Sequence, residues 1–245
     1  MTQTPAATPP PPDGTGVFRP GYFQTRLAPN SHRSRIWEHI TEYLRRWIPA
    51  EARILELGAG WCDFANAVHG SRVVAMDLDD TVRAAATPGV QAVVGDCTDL
   101  SRFGAGEFDV VFASNLLEHL DRPATGRLLE GAARVLRPGG SLILLQPNFR
   151  LDPGRYFDDY THVAIYTDRS LPDYLTSEGW QVTTVRPRFL PLTMKTRASG
   201  LTFLVPLYLR SPYKPLAGQM LVVATPAADL RGSSPAGEGA SDVAR

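Results

Sequence analysis

Only two cysteines, Cys62 and Cys97, occur in the 245 residues, which excludes a disulfide scaffold and a cysteine-based zinc site and fits a reducing compartment. Neither sign of charge is in excess. Lysine plus arginine and aspartate plus glutamate each number 25, so the chain offers no strongly basic surface for DNA or RNA phosphates, and no nucleic-acid partner is expected. No apolar run is long enough to span a bilayer. Met1 is followed by a Pro/Thr/Ala stretch instead of a charged end and an apolar run, so no secretory signal is read and a cytoplasmic location is expected. Acids are missing altogether between Glu178 and Asp229.

What is present is apolar residues, at 43%, enough for one sizeable core. The reading is a disordered segment over 1–18, whose Pro- and Thr-rich start lacks large apolar side chains, one domain over 19–226, and a disordered tail over 227–245. Residues 34–48 carry Ile36, Trp37, Ile40, Leu44, Trp47 and Ile48 at helical spacing, and this helix is expected to cover one edge of a sheet. Strand patterns follow at 53–57, 72–76, 90–94, 108–113 and 141–145. A helix is read over 128–136, stopped by Arg137-Pro138-Gly139-Gly140. An irregular stretch (146–167), a helix (170–178) and strands at 181–186 and 219–224 complete the chain. Alternating strands and helices imply an α/β fold, a mostly parallel sheet with helices on both faces.

The first strand runs into Gly58-Ala59-Gly60, where the absence of a Cβ lets the backbone turn sharply and lets a ligand approach. About 20 residues on, the second strand ends in Asp77, an acid placed to accept hydrogen bonds from two ribose hydroxyls. The third ends in Gly95-Asp96-Cys97 and the fourth in Ser114-Asn115, so four strands end in polar groups at one edge. A dinucleotide fits this turn poorly. The third glycine of G-x-G-x-x-G is absent, and Asp63 would face a pyrophosphate.

Leu55-Glu56-Leu57-Gly58-Ala59-Gly60, Met76-Asp77, Gly95-Asp96-Cys97, Phe108-Asp109-Val110-Val111 through Leu117-Glu118-His119-Leu120, and Leu136-Arg137-Pro138-Gly139-Gly140 together resemble the class I S-adenosylmethionine-dependent methyltransferases, specifically the small-molecule branch with the ubiquinone-biosynthesis O-methyltransferases. The resemblance implies a Rossmann-like seven-stranded sheet whose last strand is antiparallel, with S-adenosylmethionine as cofactor. It places Gly58 and Gly60 beneath the methionine portion, Glu56 near its amino group, Asp77 on the ribose and Asp96 on the adenine amine. Cys97 and Asn115, beside the turns that end the third and fourth strands, complete the expected cofactor-binding set. Strand, glycine turn and ribose acid are shared with NAD-dependent oxidoreductases, and a cofactor-binding partner protein without activity or a cyclase on the same scaffold is also compatible.

Methyl transfer to a hydroxyl needs a proton acceptor, which directs attention to His119 and His162. His119 follows Glu118 just after the fourth strand and acts either as a base or as a packed helix-start residue. In ubiquinone-pathway relatives an acid, a Glu and a His at this place can bind magnesium; Asn115 stands where the first acid would be, so no metal is expected. His162, in Asp158-Asp159-Tyr160-Thr161-His162, lies beyond a carboxyl strand end, where open α/β sheets hold substrates, as a general base, an acceptor-orienting group or a structural loop residue. Asp158, Asp159, Tyr160 and Tyr166 either assist it or bond the loop to itself. No Asn-Pro-Pro-Tyr-like run follows the fourth strand, which favours oxygen over nitrogen as acceptor atom, in a small molecule or a saccharide. The cations Arg186, Arg188, Lys195, Arg197, Arg210 and Lys214 around the apolar 201–209 run leave peripheral membrane contact or a lipid-linked acceptor open. The stretch from Phe189 to Lys195 and on to Lys214-Pro215 also resembles uncharacterised methyltransferases of bacterial surface-glycan pathways.

Overall fold

The computed structural model describes residues 31–191 and 202–227; the expectations for the 1–18 segment, for Lys195 and Arg197 and for the tail beyond Ala227 lie outside the described residues. Seven strands form one sheet: β1 (Arg53–Leu57), β2 (Arg72–Asp77), β3 (Val90–Val94), β4 (Phe108–Ser114), β5 (Leu136–Pro147), β6 (Trp180–Arg186) and β7 (Gln219–Pro226), in the order β3-β2-β1-β4-β5-β7-β6. Pairing is parallel from β3 through β5, and β7 runs antiparallel to both β5 and β6. The order reverses between β1 and β4, which is where an open α/β sheet forms its ligand crevice.

A sheet covered on both faces needs apolar side chains in both alternations, and β1, β2, β4 and β5 supply them. Leu55, Leu57, Val74, Met76, Val111, Leu142 and Leu144 enter one core with α4 (Arg122–Val135) and α6 (Ser170–Ser177). Ile54, Val73, Ala75, Val110, Phe112, Ile143 and Leu145 enter the other, with α1 (Ser31–Leu44), α2 (Asp63–Ala67), α3 (Thr81–Ala85) and α7 (Val205–Arg210). A short α5 (Pro153–Tyr156) lies in the loop after β5.

Three local expectations are corrected. The first helix covers a face, not an edge: Trp37 packs edge-on against Phe64 and Phe112, the latter in central strand β4, at ring separations of 6.2 and 6.1 Å. It starts at Ser31 rather than residue 34, and turns replace it after Leu44. The helix read over 128–136 begins at Arg122, because Asp121 caps it by accepting the Ala124 N–H at 2.8 Å, with Pro123 in the first turn. Finally, Arg137-Pro138-Gly139-Gly140 lies within β5 as an irregularity in the β4–β5 register, where Gly139 adopts φ 76°.

That irregularity lets Arg137 reach Asp109 on β4. Asp109 also accepts the backbone N–H of Arg53 at 2.7 Å and its Nε at 3.0 Å, so one carboxylate joins the amino ends of β1, β4 and β5. Partial burial pushes this carboxyl up, but the hydrogen bonds from Arg53 and Arg137 overcome it and hold the pKa at about 2. A folded-state value below the unfolded one contributes stability that is present above about pH 4 and is lost as pH falls towards 2. Asp109→Ala should lower the free energy of unfolding in urea by about 2–3 kcal/mol at pH 7, and by less at pH 3. An unchanged midpoint at pH 7 would contradict this assignment.

Candidate cofactor rim and acceptor cluster

The turn after β1 uses three residues with positive φ in alternation: Gly58 at 67°, Gly60 at 53° and Cys62 at 55°. A Cβ on Gly58 would stand 2.9 Å from Leu116 Cδ1, so glycine is required there both by φ and by the close approach of the segment after β4. The turn is tied to β2 twice. Ala59 N–H donates to the Met76 carbonyl at 3.0 Å, and Gly60 N–H donates to Asp77 Oδ2 at 2.7 Å. The other oxygen, Oδ1, accepts the Asp79 N–H at 2.9 Å. Asp77 is 6% exposed, and in this structure its carboxylate organises two adjoining loops of the rim.

Three acids gather around this turn. Glu56 is buried and accepts the Ala65 N–H at 3.0 Å, fixing the first turn of α2 against β1. Asp63 pairs with Arg33 at 2.6 Å. Burial pushes the carboxyls of Glu56, Asp63 and Asp77 above the usual range, and Asp63 and Asp77 push Glu56 further. A positively charged ligand relieves such a set, whereas a pyrophosphate aggravates it. The acid set therefore fits the amino and sulfonium groups of S-adenosylmethionine, the cofactor that the sequence resemblance implies.

On β3, Asp96 is half-buried in the turn after the strand and its Oδ1 accepts the Thr98 N–H at 2.8 Å. Cys97 packs against the core under α4. Burial pushes both thiols, Cys62 and Cys97, up to about 12, so they sit at the rim as neutral small groups and not as nucleophiles. Asn115, exposed and with φ 48°, ends β4; its Oδ1 accepts from Gln219 Nε2 at 2.7 Å, which ties it to the start of β7.

The two histidines singled out in the sequence come together. A 3₁₀ turn, Leu117–His119, follows β4, and the Glu118 carbonyl accepts the N–H groups of Val163 and Ala164 at 2.8 and 3.1 Å, which docks the loop after β5 onto that turn. The His119 and His162 rings then lie 4.9 Å apart, and Tyr156 packs 4.6 Å from His162. Asp159 accepts from the Thr161 hydroxyl at 2.6 Å, and Tyr156 also joins the cluster, its OH donating to the Ala164 carbonyl at 2.6 Å. Burial and the neighbouring His162 push His119 down to about 4, and burial pushes Glu118 up to about 8. Phe157, Tyr160, Val163 and Ile165 of the same loop are exposed apolar or aromatic side chains.

Two buried groups fall outside the set expected from sequence. Glu118 is fully buried with neither carboxylate oxygen hydrogen-bonded, and Gln146, at the end of β5, is fully buried with neither amide atom hydrogen-bonded. For Glu118 the signal was an acid inside the apolar Leu116-Leu117-Glu118-His119-Leu120 run; Gln146 gave none.

Comparison with known proteins agrees with this geometry. Residues 55–144 match the family described as "Methyltransferase domain". The ubiquinone biosynthesis O-methyltransferase of Xanthomonas oryzae pv. oryzae is 32% identical over 104 residues, 39% of this chain and 43% of that protein. The chain thus spans under half the length of the curated relatives it matches. Among solved structures, a SAM-dependent methyltransferase from Archaeoglobus fulgidus superposes with a TM-score of 0.55 at 17% identity, covering 77% of this chain and 93% of that one. The [4+2]-cyclase SpnF superposes at 0.56 and 18% identity, covering 78% and 81%. In its matched segment and its strand order the chain is thus similar to S-adenosylmethionine-dependent methyltransferases.

Proposed function

We propose that this protein transfers a methyl group from S-adenosylmethionine to an oxygen of a small molecule or a saccharide. The observation that carries the reading is the adjacency, on one rim, of the acid-lined turn after β1 and the Glu118–His119–His162 cluster, formed by the turn after β4 and the loop after β5. Glu56, Gly58, Gly60, Asp77, Asp96, Cys97 and Asn115 form the proposed cofactor side. When bound, the cofactor supplies a methyl carbon on a positively charged sulfur, open to in-line displacement. The chain's part is to hold acceptor and methyl on one axis and to keep water out.

Asp77 and Asp96 fix the adenosyl portion, and the glycines let it lie against the backbone. His119 and His162 stand on the acceptor side, where the hydroxyl must lose its proton, with His162 the more exposed of the two. Phe157, Tyr160, Val163 and Ile165 supply apolar or stacking contacts that suit an aromatic ring or a sugar face. The oxygen assignment draws on the ubiquinone-pathway relative. Peripheral membrane contact is supported by exposed Phe203, Leu207, Tyr213 and Leu216 next to Arg210 and Lys214; among the described residues no helix is long and apolar enough to cross a membrane.

Calorimetry should show binding of S-adenosylmethionine and its demethylated product without binding of NAD; tight NAD binding alone would favour an oxidoreductase. Asp77→Ala should weaken cofactor binding by about 1–3 kcal/mol, roughly 5- to 150-fold, and an unchanged affinity would remove Asp77 from the site. Methyl-labelled cofactor added with the protein to a host extract should label one oxygen-bearing small molecule or saccharide. Cofactor binding without label in any fraction would instead mark a non-catalytic partner protein.

A further inference from the structure

A groove of about 360 Å³ opens along the outer edge of β3, a size that suits a small organic molecule rather than a lone ion. Arg72 at the start of β2, Arg83 on α3 and Arg102 in the segment after β3 line it, and among the described residues Glu107 is the only acid in the lining. That acid is already engaged. One of its oxygens accepts from Arg72 Nη1 at 2.5 Å and the other from the Gly104 N–H. Arg83 is exposed and, among the described residues, makes neither a hydrogen bond nor an ion pair.

The backbone adds donors of its own. β3 ends the sheet and pairs with β2 alone, in parallel. The Gly95 N–H donates to the Asp77 carbonyl at 2.8 Å, and the two-residue period of a strand then turns the backbone groups of Gln91 and Val93 toward β2 and those of Ala92 and Val94 outward. Arg102 Nη1 marks that open side by donating to the Val94 carbonyl at 3.1 Å. The N–H groups of Ala92 and Val94 are left facing the groove, without a protein acceptor among the described residues. Both residues are half-buried, so their amides are partly withdrawn from water and an acceptor in the groove would satisfy them.

We propose that this groove binds a small organic phosphate monoester. Three guanidinium groups against one carboxylate leave two positive charges, which a phosphate monoester dianion matches and a single carboxylate does not. Guanidinium forks suit the geometry of phosphoryl oxygens, and a sheet edge with free N–H groups forms an anion-binding concavity. Val93 and Phe103 supply apolar surface for the carbon portion. The site stands apart from the proposed methyl transfer. S-adenosylmethionine carries no phosphate, and no residue of the glycine turn after β1 or of the histidine cluster lines the groove.

The test is amide NMR on the full-length, ¹⁵N-labelled protein, titrated at constant ionic strength with inorganic phosphate, phenyl phosphate and succinate. Phenyl phosphate should shift the Ala92, Val94 and Arg102 amides through one saturable site. It should bind more tightly than inorganic phosphate and at least about 10-fold more tightly than succinate. Arg83→Ala and Arg102→Ala should each weaken phenyl phosphate binding by about 10-fold or more, the loss expected for one charge-assisted contact. Arg127→Ala, exposed on α4 and outside the groove, should leave it unchanged. Arg83 makes no contact that the fold needs, so its variant keeps the test valid if Arg102→Ala does not fold. Absence of a saturable shift with phenyl phosphate, equal binding of succinate, or binding indifferent to Arg83→Ala would overturn the proposal.

Discussion

At the carboxyl end of β2, Asp77 turns its carboxylate back over the turn that follows β1, accepting the Gly60 N–H on one oxygen and the Asp79 N–H on the other. That single side chain holds two adjoining loops of the rim in fixed relation. It can do so only because Gly58, Gly60 and Cys62 take positive φ and present the Gly60 amide toward it. Burial raises the free energy of the charged carboxyl, and the two charge-assisted hydrogen bonds offset part of that rise. The result is a preformed acidic rim at the carboxyl ends of β1 and β2.

The rest of the rim is arranged around this fixed point. Leu116 packs against Gly58, which brings the β4 loop onto the β1 loop, and Glu118, two residues on, anchors the loop after β5 through its carbonyl. The proposed cofactor side and the proposed acceptor side are thus joined by a short covalent path through residues 116–118. The fold is shared with the [4+2]-cyclase SpnF, so fold does not specify the reaction. The acid set and the histidine cluster are what direct the reading toward transfer of a methyl group from a sulfonium.

Much of the sheet was legible in the sequence because strands buried on both faces read as unbroken apolar runs, as in Phe108-Asp109-Val110-Val111-Phe112-Ala113. The seven strands, the reversed last strand and both helical layers follow from those runs and from the family resemblance. The start of α4 was not legible, since Arg122 to Gly126 shows no strong apolar stripe and its boundary is set by the Asp121 cap. The Pro-Gly-Gly run reads locally as a helix stop, and the helix does end at Val135, but the run itself lies within β5, where Arg137 bonds Asp109 of β4. At the site, residue identities were readable while their partners were not. Which groups meet His119 depends on a loop docked through backbone hydrogen bonds, and such bonds leave no trace in residue type.

Hydrogen–deuterium exchange with and without S-adenosylmethionine tests the central claim, that this rim is shaped for that cofactor. Added ligand should slow exchange in peptides spanning 58–66, 77–82 and 95–99, and leave β6 and the amino ends of β1 and β4 unchanged. Exchange in those three rim segments that is indifferent to the ligand would contradict the account.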